Sequence, residues 1–449
     1  MSDPEKNRLS GRIARYARVG TGMGGVAARM AGARLFGSDL GGEKGAAELA
    51  AALGGLKGPL MKVAQLLATV PDLVPPEYAT ALGQLQSNAP PMGWTFVRRR
   101  MRAELGEGWE SRFGAFEHQP FAAASLGQVH RAATTDGRPV AAKLQYPDMQ
   151  SAVEADLVQL KLLFSAYRRL DRAIDTSQIY EEIRARIREE LDYGREARHT
   201  ALYRTMLADE PLVRVPDIEA DLSTGRLLTM SFLEGRRLLD FRDRPQDERN
   251  RIATAMFAAW WSPFARYGVI HGDPHLGNYT VFEEDGAAAG INLLDYGCIR
   301  IFEAGFVAGV VDLFHGLREG DEARVVSAYE RWGFRGLSRD LIEALNIWAR
   351  FIYGPLLDDR VRTIADGVAP AEYGRREAYR VHRVLKEKGP VTVPREFVFM
   401  DRAAVGLGSV FLHLSAELNF HRLFAAAIAD FDADSLAARQ SEALARAGL

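Results

Sequence analysis

Two acidic anchors stand out in residues 271–297, HGDPHLGNYTVFEEDGAAAGINLLDYG. The first is Asp273, preceded by His271 and Gly272 and followed five residues later by Asn278. Pro274 is excluded from a helix interior, so Asp273 lies in a loop. The second is Asp295 of Asp295-Tyr296-Gly297, which follows the mostly apolar run Ile291-Asn292-Leu293-Leu294. Asn278 and Asp295 offer oxygen donors, the type Mg²⁺ prefers. Phosphoryl transfer needs such a set: an Asp to orient the nucleophile, and an Asn and an Asp to hold magnesium on the ATP phosphates. An isolated Asp-Pro turn reads equally well as a capped surface turn. The joint pattern, an HGD loop with its Asn and then a strand ending in DYG, points to chemistry.

The elements that must position these residues are legible as patterns. Gly286 and its neighbouring alanines suit a turn between two short strands, which places Asp295 at a strand end. The helix expected over 252–267 delivers the chain to His271. Upstream, residues 120–132 read as strand, small-residue turn and strand, with Ala122, Ala123, Ala124 and Ser125 in the turn. Asp136-Gly137 turns the chain again, and Val140–Leu144 forms a strand whose one charge is Lys143. A small-residue turn lets backbone N–H groups approach phosphates, and a strand Lys can reach the same groups. Alanines stand here where a GxGxxG loop carries glycines, so the loop is stiffer.

Two further stretches bear on these lysines and carboxylates. Pro59 suits the first turn of a helix, in which Lys62 and Gln65 share a face among apolar neighbours. A Lys there either snorkels to water or takes a carboxylate partner. Residues 150–208 read as helical and charged, with Asp192 and Glu196 four apart on one face and Glu190 close by. That face is either a solvated acidic surface or the carboxylate partner that a strand lysine needs in a kinase-like lobe. Residues 212–216 and 226–235 read as two antiparallel strands joined through Ser223-Thr224-Gly225. Beyond Cys298 the pattern is helical to the end, with breaks near 333–338, 367–372 and 389–394.

Bulk properties narrow the function classes. A chain of 449 residues is too long for one ordinary core. A hydrophobic share of 47% with 26% charged residues argues for a globular protein and against disorder. The net charge of -2 gives no overall nucleic-acid footprint. Cys298 is the single cysteine, so no internal disulfide forms, as suits a reducing compartment. It reads as a small buried filler, since a reactive thiol needs a polarising neighbour. The N-terminus has no apolar core of signal-peptide length. No run reaches the roughly 18 apolar residues of a membrane span. Residues 1–40 are basic, with Ile13, Tyr16 and Val19 at helical spacing. They read either as an amphipathic helix on an anionic membrane or as a tail or helix on the domain itself.

Taken in order, the Ala-rich turn, the strand Lys143, the helix segment ELDYGREA, HGDPHLGN and DYG resemble the UbiB family of atypical protein-kinase-like proteins. That family includes mitochondrial coenzyme Q ATPases and bacterial AarF-domain proteins, and the resemblance covers about residues 45–420. It implies an α+β, two-lobe kinase-like fold. The implied parts are a basic tail or amphipathic helix (1–44), a helical extension (45–110), a small β-containing N-lobe (111–235) and a large helical C-lobe (236–449). The ligand cleft would lie between the lobes. The family's K-x-G-Q motif is matched by Lys62-Val63-Ala64-Gln65, with Ala64 for Gly. By resemblance, Lys62 pairs with Glu190 and Asp192 across the substrate entrance, and Lys143 binds ATP phosphates and pairs with Glu196. Ala122–Ser125 replace the Gly-rich loop, and Met230–Leu233, with Met230 and Phe232, form the adenine-side hinge. Asp273 is the implied catalytic Asp, with Asn278 and Asp295 on Mg²⁺. The resemblance implies an ATPase or atypical kinase that uses ATP and Mg²⁺ and supports isoprenoid lipid, chiefly ubiquinone, metabolism. It further implies a lipid or isoprenoid precursor and coenzyme Q biosynthetic enzymes as partners, no nucleic acid, and a cytoplasmic place with peripheral contact to the inner membrane. Two alternatives stay open: a small-molecule phosphotransferase, whose relatives lack the Lys62–Gln65 extension, and a nucleotide-sensing scaffold of a biosynthetic complex.

Overall fold

The computed structural model describes residues 92–124, 126–151, 153–154, 157–158, 161, 184–185, 187–366 and 395–449. The expected helix bearing Lys62 and Gln65, the basic stretch 1–44 and Ser125 lie outside the described residues. The chain divides into two compact units, Met1–Arg195 with Ile218–Phe232, and Glu196–Asp217 with Leu233–Leu449.

The first unit is built on an antiparallel sheet. Helix α1 (Trp94–Leu105) precedes strands β1 (Phe113–Phe116), β2 (Ala122–Ala124), β3 (Gly127–Thr134) and β4 (Pro139–Gln145). The sheet order is β1-β3-β4-β6, with β6 at Leu227–Ser231 and β2 paired to β3. Alternation along β4 explains its two faces. Val140, Ala142 and Leu144 enter a core with Val97, Met101, Trp109, Phe113 and Leu227. Lys143, of opposite parity, has its Nζ 5.2 Å from the Tyr193 ring centroid. The β3–β4 turn at Gly137 (φ 86°) falls at the Asp-Gly signal. Gly127 is required by close approach, because a Cβ there would stand 2.2 Å from the Leu144 carbonyl oxygen. Arg100 is buried on α1, and its guanidinium donates to the Gln145 carbonyl (3.2 Å) and the Tyr146 carbonyl (3.1 Å). It thereby ties α1 to the end of β4.

The second unit is mostly helical. Helix α2 (Tyr193–Met206) starts in the first unit and continues into this one, followed by β5 (Val213–Arg214) and α3 (Gln246–Tyr267). Then come β7 (Val269–His271), β8 (Tyr279–Glu284), β9 (Ala287–Leu293) and β10 (Ile299–Ile301). Helices α4 (Ala304–Glu319), α5 (Glu322–Arg331), α6 (Arg339–Leu357), α7 (Arg395–Leu414), α8 (Phe420–Ile428) and α9 (Ala433–Ala447) follow. Helix α3 is the central strut. It packs against β7, β9, α7, α8 and α9 and buries Ile252, Met256, Trp260 and Phe264. Each such fully buried side chain contributes roughly 1.5–3 kcal/mol relative to exposure. Gly268 ends α3 in the left-handed region (φ 65°), and a Cβ there would meet the Phe302 carbonyl at 2.7 Å. The chain therefore turns at once into β7 and His271.

Four local expectations are corrected. Ala122–Ala124 do not sit in the turn but form β2, paired antiparallel with Gly127–Val129 of β3; alanine lacks glycine's freedom to turn and extends readily. Residues 212–216 and 226–235 do not pair as one hairpin: β5 joins β9 in parallel in the second unit, and β6 joins β4 in the first. Apolar alternation fixes which residues are strands but not their partners, so it leaves the pairing open. Residues 190–192 leave the helix, and Asp192 precedes α2 and caps it, its Oδ1 accepting from the Arg195 N–H at 3.0 Å. Asp192 and Glu196 thus do not share a helical face; Asp is a better cap than an interior helix residue. The chain after Cys298 forms the short strand β10 before its helices begin. The α+β class itself holds, with an antiparallel sheet in one unit and a helical majority in the other. Among the described residues, no helix is long and apolar enough to cross a membrane.

Candidate functional site

The HGD loop starts where β7 meets β10. Their antiparallel register pairs His271 with Ile299, and the Gly272 N–H donates to the Cys298 carbonyl at 2.7 Å. A Cβ at Gly272 would lie 3.1 Å from both the carbonyl oxygen and Sγ of Cys298, so a small residue suits the position. Beyond β7 the loop is closed by its own side chains. The Asn278 amide donates to the Asp273 carbonyl (2.9 Å), and the Tyr279 hydroxyl donates to the Pro274 carbonyl (3.3 Å). Asn278 then leads directly into β8, and its carbonyl accepts the Leu294 N–H at 2.8 Å. The β8–β9 hairpin turns at Asp285 (φ 51°) and Gly286 (φ 80°), the double positive φ of a tight hairpin turn. Its register sets Tyr279 opposite Leu293, which brings Asn278 beside the strand end that carries Asp295.

His271 joins the two acidic anchors. Its Nδ1 accepts the Asp273 N–H at 3.2 Å, so the ring proton sits on Nε2, which donates to the Asp295 carbonyl at 2.8 Å. The ring is fully buried beside Trp260 (centroids 5.1 Å), Tyr203 and Tyr296. Burial pushes its pKa below that of a free histidine and Arg300 acts the same way, against the hydrogen bond to Asp295 and the nearby Asp charges. A neutral imidazole with one donor and one acceptor is what this bridge requires.

The DYG segment is held from α2. The Tyr296 N–H donates to Glu196 Oε1 in a long contact of 3.5 Å, and the Tyr296 carbonyl accepts from His199 Nδ1 at 3.1 Å. The Gly297 N–H closes back on Asp295 Oδ1 at 3.0 Å. Tyr296 is itself buried, with its hydroxyl on the Leu293 carbonyl at 2.9 Å. Burial raises the pKa of Tyr203 and Tyr296 well above that of free tyrosine, so both stay neutral.

The residues singled out from sequence fall as follows. In the second unit, Asp273, Asn278 and Asp295 are drawn together through His271 and the β8–β9 register, and Glu196 reaches the DYG backbone. In the first unit, Ala122–Ala124 form β2, and Lys143 is buried over Tyr193. Met230 is buried in β6 opposite Ala141, and the Phe232 N–H donates to the Pro139 carbonyl at 3.0 Å. Phe232 and Phe121 pack edge to face, with the Arg131 guanidinium over both rings. Glu190 and Asp192 lie in the break before α2. Sequence reasoning missed the bridging role of His271 and the whole part played by His199 and Tyr203. A histidine ending an apolar strand was a signal for the first; nothing local marks the other two.

The donor set suits a magnesium ion. With its amide nitrogen on the Asp273 carbonyl, Asn278 is left its oxygen to offer, and Asp295 directly follows Leu294, whose N–H donates to the Asn278 carbonyl. Among the described residues, no group of three or more His, Cys, Asp or Glu could hold a metal. Mg²⁺ sites in phosphoryl transfer draw on one or two carboxylates plus substrate phosphates, so a larger cage is not required.

Comparison with known proteins puts these motifs in a family. Residues 84–329 match the model of the ABC1 atypical kinase-like domain. The chain is 32% identical over 280 residues to AarF domain-containing protein kinase 1 of Xenopus laevis, covering 62% of this chain and 54% of that protein. It is 30% identical over 253 residues to the mitochondrial atypical kinase COQ8 of Saccharomyces cerevisiae, covering 56% of this chain and 50% of that protein. It thus spans about half the length of the curated relatives it matches. Among solved structures, it resembles a Mycobacterium tuberculosis chain described as the complex of Rv3197 with erythromycin. The TM-score is 0.61 and the identity 27%, covering 86% of this chain and 96% of that one. With more than half its length matched by the family model, this chain belongs to the ABC1 atypical kinase-like family, the UbiB proteins that its motifs resemble.

Proposed function

We propose that this chain is an ATP- and Mg²⁺-dependent ATPase or atypical kinase that supports isoprenoid lipid, chiefly ubiquinone, metabolism. The observation that carries the reading is the His271 bridge, which ties the backbone of Asp273 to that of Asp295 while Asn278 closes the same loop. Asn278 and Asp295 are the residues that would hold Mg²⁺, and bound Mg²⁺ would neutralise charge on the triphosphate. Asp273 orients the attacking water or hydroxyl and takes its proton. Lys143 steadies the phosphates and Glu196 orients that lysine. Ala122–Ser125 line the phosphates, and Met230 and Phe232 take the base. Lys62, Gln65, Glu190 and Asp192 restrict which acceptors reach the site. The partners that fit are a lipid or isoprenoid precursor and enzymes of quinone synthesis, met at the surface of the inner membrane.

ATP turnover, measured alone and with anionic vesicles plus an isoprenoid phenol, tests the reading. Stimulation by vesicles and phenol is expected, together with a loss of about 100-fold or more in Asp273→Asn. Equal turnover in wild type and Asp273→Asn contradicts it. The Mycobacterium tuberculosis relative carries erythromycin in its title, so a macrolide arm in the same assay separates drug binding from lipid-linked turnover.

A further inference from the structure

We infer that His199 is a positioning residue for Asp295, acting through the peptide between Tyr296 and Gly297. The inference rests on the reading of Asp295 as a magnesium ligand and adds to it the group that sets its direction. The two ends of that one peptide are held by different partners. Its carbonyl, from Tyr296, accepts from His199 Nδ1 at 3.1 Å. Its N–H, from Gly297, donates to Asp295 Oδ1 at 3.0 Å. A peptide unit is planar, so fixing the oxygen fixes the direction of the N–H. His199 therefore aims the donor that orients the carboxylate.

The preceding peptide is held in the same manner. The Asp295 carbonyl accepts from His271 Nε2 at 2.8 Å, and the Tyr296 N–H contacts Glu196 Oε1 at 3.5 Å. Glu196 and His199 are three residues apart on α2, which places both on one helical face. Two of these four restraints, from His199 and Glu196, do not involve Asp295 itself, and of those two the one from His199 acts on the peptide whose N–H reaches the carboxylate. That peptide precedes a glycine, the residue type least able to resist its rotation. His199 is 2% exposed, so water does not readily replace it as donor. Because a carbonyl only accepts, the proton must lie on Nδ1, and an Asn side chain offers an N–H at nearly the same place.

The test compares His199→Leu, His199→Ala and His199→Asn with wild type in a Mg²⁺ titration of the ATP-induced shift in melting temperature. A fluorescent ATP analogue in EDTA reports nucleotide binding without metal. Groups that orient a metal ligand typically contribute 10- to 100-fold in metal affinity. The Leu and Ala variants should need about tenfold more Mg²⁺ for half the shift, with metal-free nucleotide binding unchanged. The Asn variant should return to within about threefold of wild type, a rescue that a packing role would not give. A folded Leu or Ala variant with wild-type Mg²⁺ dependence overturns the inference. Should neither fold, Asn decides it: a folded Asn variant with weakened Mg²⁺ dependence overturns it too. A wild-type chain with no Mg²⁺-dependent shift overturns the nucleotide reading and this inference together, which separates the two failures.

Discussion

His271 shows how far a single side chain can be read before and after its contacts are known. The sequence placed Asp273, Asn278 and Asp295 in one catalytic pattern because their types and spacing are local. His271 sat in plain view as the first letter of HGD, but its bridge spans the 24 residues to Asp295. The contact of His199 to Tyr296 spans 97 and leaves no local trace. Burial also gives the histidines a pH signature. Burial pushes the pKa of His130, His271, His315 and His413 below the free value. The folded chain then binds fewer protons than the unfolded chain once pH falls below the free histidine value of about 6.5. Stability from these groups is full above that value and is lost as pH falls toward their folded pKa values. Thermal melts should show the midpoint dropping between pH 7.5 and pH 5.5. A midpoint that is flat or rises over that interval contradicts the neutral His271 bridge.

Elements place these residues, and here sequence patterns were sound for existence and weaker for partnership. The Asp285-Gly286 and Gly137 turns, the β3–β4 pair and the α3 strut all follow from turn chemistry and apolar spacing. The partner of β5 did not, because a two-residue strand carries no register information. Asp192 fits a helical pattern in the sequence, yet the helix starts after it. Helix α7 makes an element-scale prediction. Its Gly406 sits in mid-helix, where Ala would ordinarily stabilise by about 1 kcal/mol. A Cβ there would lie 2.4 Å from Pro274 Cγ, on the loop that carries Asp273. Overpacking costs about 1–3 kcal/mol, which outweighs the helix gain. Gly406→Ala should therefore lower both the melting temperature and ATP turnover. A variant that melts higher with full turnover would show that α7 does not brace the loop.

At the scale of the whole molecule, the chain belongs to a kinase-like family, and many of the groups packed around its HGD and DYG motifs are buried and neutral. His271, Tyr203, Tyr279 and Tyr296 are all buried, and each tyrosine is held neutral by its surroundings. On the proposed reading, fixed dipoles support Asp273 and Asp295, and a cation would meet them with little reorganisation. Composition foretold a globular chain and its length more than one core, while the motif order foretold the family and with it the α+β class. The packing of α2 onto DYG was out of reach, since it depends on tertiary contacts alone.

Isothermal titration of ATP with and without Mg²⁺, on wild type and on Asp295→Asn, tests the central claim most directly. The account predicts Mg²⁺-dependent binding in wild type and its loss in Asp295→Asn, by about 100-fold or more, with the variant still folded. Equal Mg²⁺-dependent affinity in the two proteins would contradict it.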